Sequence, residues 1–133
     1  MNLDQQVCNL ELAKRLKKLG VPQNPKTLFW WIHRRPSRNR SSWLVRFYSD
    51  RRSKDDIAAF TVSELGFLLP DYLDDPKKEW LLRFRQEKHK VGWLVGYGKL
   101  YDCGWYVFMQ GRYEANARAK LLIYLLENKL VTI

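Results

Sequence analysis

The pattern of apolar and polar positions predicts a helix near each end of the chain. Over residues 9–20, apolar residues recur at helical spacing, while lysine and arginine fill the opposite face. Gly20 is expected in the left-handed conformation that ends this helix. The last helix is predicted to begin at about Tyr113 and to include Ala115–Leu130, which contains six consecutive apolar residues. Because so apolar a helix has to be covered, we expect other elements to pack on it.

A capping box predicts a third, short helix between these two. In Thr61-Val-Ser-Glu64 the threonine hydroxyl is placed to accept from the Glu64 amide, and the glutamate to reach back to the Thr61 amide. The helix is predicted over roughly Val62 to Leu69. Pro70 prevents its continuation because proline lacks the amide hydrogen that a further turn requires.

Runs of aromatic and branched residues predict the strands. Residues 28–48 contain two such runs around a loop rich in serine and arginine, and we interpret them as a long hairpin. Residues 79–86 alternate as a strand does, although Pro76 in an Asp-led segment also suits the opening of a helix. We choose the strand. Short strands flanked by glycine are predicted at 92–98 and 104–109.

This order of elements predicts an α+β fold. A mainly antiparallel sheet of about 4–5 strands is expected to be packed by the N-terminal and C-terminal helices plus one short helix. At 133 residues the chain is expected to form a single α+β domain over residues 1–133.

Three segments resemble a known family of proteins. LELAKRLKKLGV (Leu10–Val21), TVSELGFLLP (Thr61–Pro70) and ANARAKLLIYLLENKL (Ala115–Leu130) are similar to a family of small proteins encoded by bacteriophages, prophages and other mobile bacterial elements. The resemblance covers about a third of the chain, which is more basic through its middle than the family pattern. No biochemical activity is established for that family, so the resemblance implies an origin and an architecture rather than a function.

The net charge is the strongest functional signal in the composition. The chain has 24 lysines and arginines against 14 acidic residues, a formal net charge of +10. Such an excess attracts polyanions, of which nucleic acid is the commonest in a bacterial cytoplasm. No apolar run approaches the roughly 20 residues that span a bilayer, and MNLDQQVCNL lacks the pattern of a signal peptide. We expect a soluble cytoplasmic protein of a bacterial host, with no membrane contact.

The residue spacing supports neither catalysis nor metal binding. The two histidines lie among arginine and lysine, and Cys8 and Cys103 lack the paired spacing of a zinc site. The acidic segment Asp71–Asp75 lacks the spacing and the glycine of a calcium loop. The glycines at 92–98 are not followed directly by a helix, as a dinucleotide-binding loop requires, and we expect them to permit tight turns or close packing in the sheet. The sequence predicts no enzyme activity, no cofactor and no metal.

A basic segment of the predicted hairpin is the candidate nucleic-acid site. Residues 34–54 contain eight arginines and lysines and one acidic residue. Arginine pairs with phosphate oxygens, and adjacent aromatic rings offer single strands a stacking platform. Tryptophans flank the loop, although core packing also accounts for them. The residues proposed for loose, sequence-independent contact with DNA or RNA are Arg34, Arg35, Arg38, Arg40, Arg51, Arg52, Lys54 and Trp43.

Two alternatives stay open at this point. Residues 12–35 superficially resemble a helix-turn-helix with a second helix opening at Pro25, but the run Leu28–Ile32 is too apolar for a recognition helix. A basic hairpin also suits the acidic surface of a host or phage protein. A protein-binding module is therefore the alternative to a nucleic-acid-binding protein.

Overall fold

The fold is known from a computed structural model that describes residues 2–23, 28–35, 40–47, 56–74, 81–100 and 103–133, with the backbone alone for residues 4, 28–29, 31–35 and 40–47. Its helices are α1 (Leu3–Gln6), α2 (Leu10–Lys18), α3 (Val62–Leu68) and α4 (Glu114–Glu127). Its strands are β1 (Leu28–Arg35), β2 (Arg40–Phe47), β3 (Ile57–Ala58), β4 (Tyr72–Asp74), β5 (Leu81–His89), β6 (Gly92–Lys99) and β7 (Val107–Gly111).

The first predicted helix corresponds to α2, and both of its ends are fixed by local hydrogen bonds. The Asn9 side chain accepts from the Leu12 amide at 2.9 Å, which satisfies one of the free amides of the first turn. At the other end Gly20 has φ +90°, as predicted. Its reversal allows the Val21 amide to donate to the Leu16 carbonyl at 3.1 Å, which closes the helix.

The short helix α3 begins at the predicted cap. The Thr61 hydroxyl accepts from the Glu64 amide at 3.3 Å. The backbone of Thr61 also forms an isolated antiparallel bridge with Val7, so the cap residue links α3 to the segment before α2. The helix ends at Leu68, and the next residue, Leu69, is extended before Pro70, as that proline requires.

The predicted α+β fold is confirmed, and its strands form two sheets among the described residues. The four-stranded sheet has the order β4-β5-β6-β7, and the three-stranded sheet has the order β2-β1-β3. Every described pairing is antiparallel. The helices contact different sheets: α4 packs on β6 and β7, whereas α2 packs on β3 and also on α4. The sequence pattern did not separate the two sheets, because β3 and β4 are only two and three residues long.

Two open assignments are decided by the strands. Residues 79–86 were ambiguous between helix and strand, and Leu81–His89 forms β5. The helix-turn-helix alternative is wrong, because Leu28–Arg35 is strand β1 rather than a second helix. Its aromatic run suits a pleated surface better than a helix that needs one wet face.

The core is built around α4. Seven of its fourteen residues are buried, and Leu121, Leu122 and Leu125 are fully inaccessible to solvent. Each buried leucine stabilises the fold by roughly 1.5–3 kcal/mol relative to exposure. Among the side chains that the structure describes, Tyr97 of β6 is the largest that is fully buried, and its hydroxyl donates to the Pro70 carbonyl at 2.7 Å. In the part of the chain that the structure describes, no helix has the length and apolar character needed to cross a membrane.

The cap of α3 makes a testable contribution to stability. Replacing Thr61 with Ala removes the acceptor for the Glu64 amide and is expected to lower the free energy of unfolding by about 1 kcal/mol. Urea denaturation followed by far-UV circular dichroism measures the change. The matched control is Ser63→Ala in the first turn, where the side chain is exposed; its effect should stay within about 0.5 kcal/mol. Equal losses in the two variants would contradict the assigned cap.

Candidate nucleic-acid interface

The predicted hairpin brings three of the candidate arginines to one end of a strand pair. β1 and β2 pair along their whole length, and in this register Arg34 lies opposite Ser41 while Arg35 lies opposite Arg40. Trp43 pairs with Ile32, which is two pairs away from Arg34–Ser41 in the direction away from the hairpin end. The remaining candidates lie outside the described residues: Arg38, Arg51, Arg52 and Lys54.

The pairing of Arg35 with Arg40 concentrates positive charge at the end of the hairpin. Like charges directly opposite each other destabilise an antiparallel pair. The register therefore places two basic residues at paired positions beside the end of the hairpin.

The hairpin is anchored to the core through Trp30. Its indole N–H donates to the Cys8 carbonyl at 3.0 Å, and the residue is 9% exposed. Of the tryptophans that flank the basic loop, this one belongs to the core and not to a stacking surface. The bond also fixes β1 against the segment that precedes α2.

A second candidate surface is the side of the four-stranded sheet that α4 does not cover. Inward-facing residues of β5 and β6 such as Leu82, Val95 and Tyr97 are fully buried. Side chains alternate along a strand, so the intervening residues face away from α4. We call this surface the outer face. Its described side chains on the strands are Tyr72, Asp74, Leu81, Arg83, Arg85, Glu87, His89, Leu94, Phe108 and Gln110. Trp105, which precedes β7, packs on this face against Arg85 and Phe108.

Strand register arranges the outer face in rows. One row runs from Tyr72 in β4 through Arg83 in β5 to Gly98 in β6. The next row runs from Arg85 through Gly96 to Phe108. Each row therefore has an arginine beside a glycine, with an aromatic residue at one side.

Large aromatic rings on the outer face, or in the residues just before β7, are open to solvent. Tyr72 is 53% exposed, Tyr106 is 42% exposed and Phe108 is 50% exposed. Single exposed apolar residues are ordinary on protein surfaces, but a group of rings on one face indicates a surface for contact.

Arg85 and Trp105 form a layer beneath these rings. The Arg85 guanidinium carbon lies 4.9 Å from the centre of the Trp105 ring, and its Nη1 donates to the Gly104 carbonyl at 3.0 Å. The Trp105 and Phe108 ring centres are 5.9 Å apart. Gly98 makes the layer possible, because a Cβ there would come within 2.8 Å of Arg85 Nη1. The expectation that these glycines permit close packing is confirmed here.

A shallow recess adjoins the outer face at the end of β6. Its volume is about 360 Å³, and its described lining includes Arg83, Arg85, Lys99 and Leu100. Glu87 is the carboxylate among the described lining residues, and it lies 3.8 Å from Arg85 Nη2. The recess thus has three cations and one anion, a composition that favours a phosphate group.

The outer face is missed when the sequence is taken alone. Alternation identifies the strands, but Phe108 and Met109 look equally suited to the core. Met109 packs against the core and Phe108 is half exposed. The paired glycines of β6 were the available signal, because residues without side chains in a central strand indicate close approach by another group.

Two buried groups of the described core, Cys8 and Tyr97, have shifted pKa values. Burial raises the pKa of the Cys8 thiol to about 12. Burial, with a smaller effect from the nearby charge of Asp71, also raises the pKa of Tyr97. Both groups stay protonated near neutral pH. Within the described residues no group of three or more His, Cys, Asp and Glu side chains is positioned to hold a metal ion.

The comparisons with known proteins add no relative. Neither the protein-family models nor the curated proteins nor the solved structures contain a match to this chain.

The two cysteines are expected to differ strongly in reactivity. Cys103 is exposed and Cys8 is buried in the core. A thiol reagent should therefore modify Cys103 rapidly and Cys8 only when the protein unfolds. Replacing Cys103 with Ser should abolish the rapid phase. Rapid modification of two thiols in the folded wild-type protein would contradict the burial of Cys8.

The Cys8 thiol also predicts a loss of stability at alkaline pH. The unfolded chain releases the thiol proton near pH 9.0, whereas the folded protein holds it to about 12. The contribution of the protonated Cys8 thiol to the free energy of unfolding is therefore complete below pH 9.0 and is lost as the pH rises toward 12. Between about pH 8 and about pH 10.5, the free energy of unfolding of the wild type should fall by roughly 2 kcal/mol more than that of Cys8→Ala. Parallel urea denaturation of the two proteins measures this, and an equal loss would contradict it.

Proposed function

We propose that this protein acts by binding nucleic acid, without sequence preference and without enzymatic activity. Support comes first from charge: the chain carries +10, and residues 34–54 hold eight basic residues against one acidic residue. Contacts between such residues and phosphates release condensed counterions, which gives affinity without base recognition. The basic part of the hairpin is the proposed phosphate-contacting element.

The observation that carries the proposal is the register of β1 and β2. Arg35 pairs with Arg40, and Arg34 lies one residue away in β1. A chain that only needed charge for its solubility would gain nothing from placing arginines directly opposite each other, because the pair repels. A bound phosphate backbone removes that cost.

The resemblance of the helical segments supports a setting for this activity. We infer an accessory protein of a phage, prophage or related mobile element, acting in the cytoplasm of a bacterial host. In that setting nucleic acid is the commonest polyanion that a basic protein meets.

The alternative function is a protein-binding module for an acidic host or phage partner. The same end of the hairpin would serve it, since opposed arginines attract carboxylates as well as phosphates. Capture of a defined protein partner that persists after nuclease treatment would favour this alternative over nucleic-acid binding.

Salt dependence tests the proposed function. Fluorescence anisotropy with single-stranded and duplex oligonucleotides at about 50 and about 200 mM salt should show a steep, log-linear fall in affinity. The hairpin variant changes four arginines to glutamine: Arg34→Gln, Arg35→Gln, Arg38→Gln and Arg40→Gln. We expect it to reduce the slope of log affinity against log salt concentration for single strands by about 3 in magnitude, since each phosphate contact contributes about 0.7. Absence of binding by wild type at the lower salt concentration would contradict the proposal.

A matched variant separates the hairpin from general charge. It removes four positive charges from exposed positions on the helices and beyond α4, so that its net charge equals that of the hairpin variant. The residues changed to Gln are Lys14, Lys18, Lys120 and Lys129. This control should keep most of the wild-type affinity and slope. If it loses as much as the hairpin variant, then the hairpin is not the phosphate-contacting element.

A further inference from the structure

We propose that the outer face of the four-stranded sheet binds unpaired bases, so that the protein prefers single-stranded nucleic acid to a duplex. This inference rests on the proposed function and adds a second site to it. The hairpin would supply charge, and the outer face would supply contact with bases.

The outer face offers exposed rings for base stacking. Phe108 of β7 is half exposed, and the Trp105 ring lies beside it with ring centres 5.9 Å apart. Tyr72 adds an exposed ring at the opposite edge of the sheet, in β4. Every nucleobase has a π-face, so such rings hold bases of any sequence.

The layer below the rings keeps the surface rigid. Arg85 is held on the Trp105 ring at 4.9 Å and by its bond to the Gly104 carbonyl. Trp105 in turn contacts Phe108, with ring centres 5.9 Å apart. A preorganised surface loses little side-chain entropy on binding, which favours affinity.

The charge of the adjoining recess favours a nucleic-acid strand as the occupant. The recess beside the rings is lined by Arg83, Arg85 and Lys99, with Glu87 as its described carboxylate. The surrounding segment, residues 81–113, has six lysines and arginines and two acidic residues. Arg85 connects the recess to the rings, because it lines the recess and lies 4.9 Å from the centre of the Trp105 ring. A purely apolar partner would gain nothing from the three cations.

The strand preference follows from which part of the nucleic acid is accessible. In a duplex the faces of the bases stack on one another, so a ring on a protein surface has no base face to contact. In a single strand the bases splay apart and stack on aromatic residues of an open sheet. The outer face is therefore suited to single strands.

A comparison of base-bearing and abasic strands tests this site. The probes are fluorescein-labelled oligothymidylate of about 12 nucleotides, a strand of equal length and charge whose sugars carry no bases, and a duplex of that length. We expect wild type to bind oligothymidylate at least about 5-fold more tightly than the abasic strand. Phe108→Ala should reduce this ratio toward one while leaving the salt dependence unchanged, because the variant keeps every positive charge.

The control variant is Phe67→Ala. Phe67 is 92% exposed on α3, so the substitution removes an even more accessible phenyl ring from another element. It should leave the ratio at the wild-type value. Thermal denaturation of both variants shows that they are folded, which the exposure of each side chain leads us to expect.

The outcomes distinguish this inference from the proposed function. If wild type binds base-bearing and abasic strands equally, the outer face does not stack bases, and the phosphate-binding function stands. If Phe67→Ala lowers the ratio as much as Phe108→Ala, or if duplex is preferred, the assignment of the outer face is also overturned. If wild type binds none of the three probes at low salt, the proposed function fails and this inference fails with it.

Discussion

The packing of α4 against one face of the four-stranded sheet determines how the rest of the described chain is arranged. Half of the helix is buried, and it contacts β6, β7, α2 and α3. A helix covers only one side of a sheet, so the same contact that forms the core leaves the other side without a partner among the described elements. The outer face is a direct consequence of this packing, and its exposed rings are the residues that alternation turns away from α4.

Arg118 strengthens that packing at the start of α4. Its guanidinium binds Glu114 at 2.8 Å and the Gln86 side chain at 2.6 Å, and it lies 5.2 Å from the Phe84 ring. The side chains of Arg118 and Glu114 are only 13% and 18% exposed, so solvent screens this pair less than a surface pair. The backbone of α3 also lies close to the Arg118 guanidinium, since a Cβ on Gly66 of α3 would lie 2.7 Å from Arg118 Nη1. One side chain thus connects α4 with β5 and α3.

The two candidate surfaces differ in their physical character. The end of the β1–β2 hairpin concentrates charge, with Arg35 paired to Arg40. The outer face combines exposed rings with arginines that are already engaged, since Arg85 contacts Trp105, Gly104 and Glu87. Charge acts over a Debye length of about 10 Å, whereas ring stacking requires contact. The ligand that we propose for the two surfaces carries both phosphates and exposed bases.

Local sequence determined both ends of α2, the start of α3 and the class of the fold, whereas α1 was not predicted and α4 ends at Glu127 rather than near Leu130. Each of these features involves groups within a few residues of each other, so it can be predicted without any tertiary contact: the Asn9 cap, the Thr61 cap and the left-handed Gly20. The basic character of residues 34–54 is likewise a property of composition.

Only the tertiary structure divided the strands into two sheets and decided which face of β5–β7 stayed open, because a period-two pattern shows that two faces exist but not which of them a helix will cover. For the same reason Phe108 and Met109, neighbours with similar apolar character, have opposite environments in the folded protein.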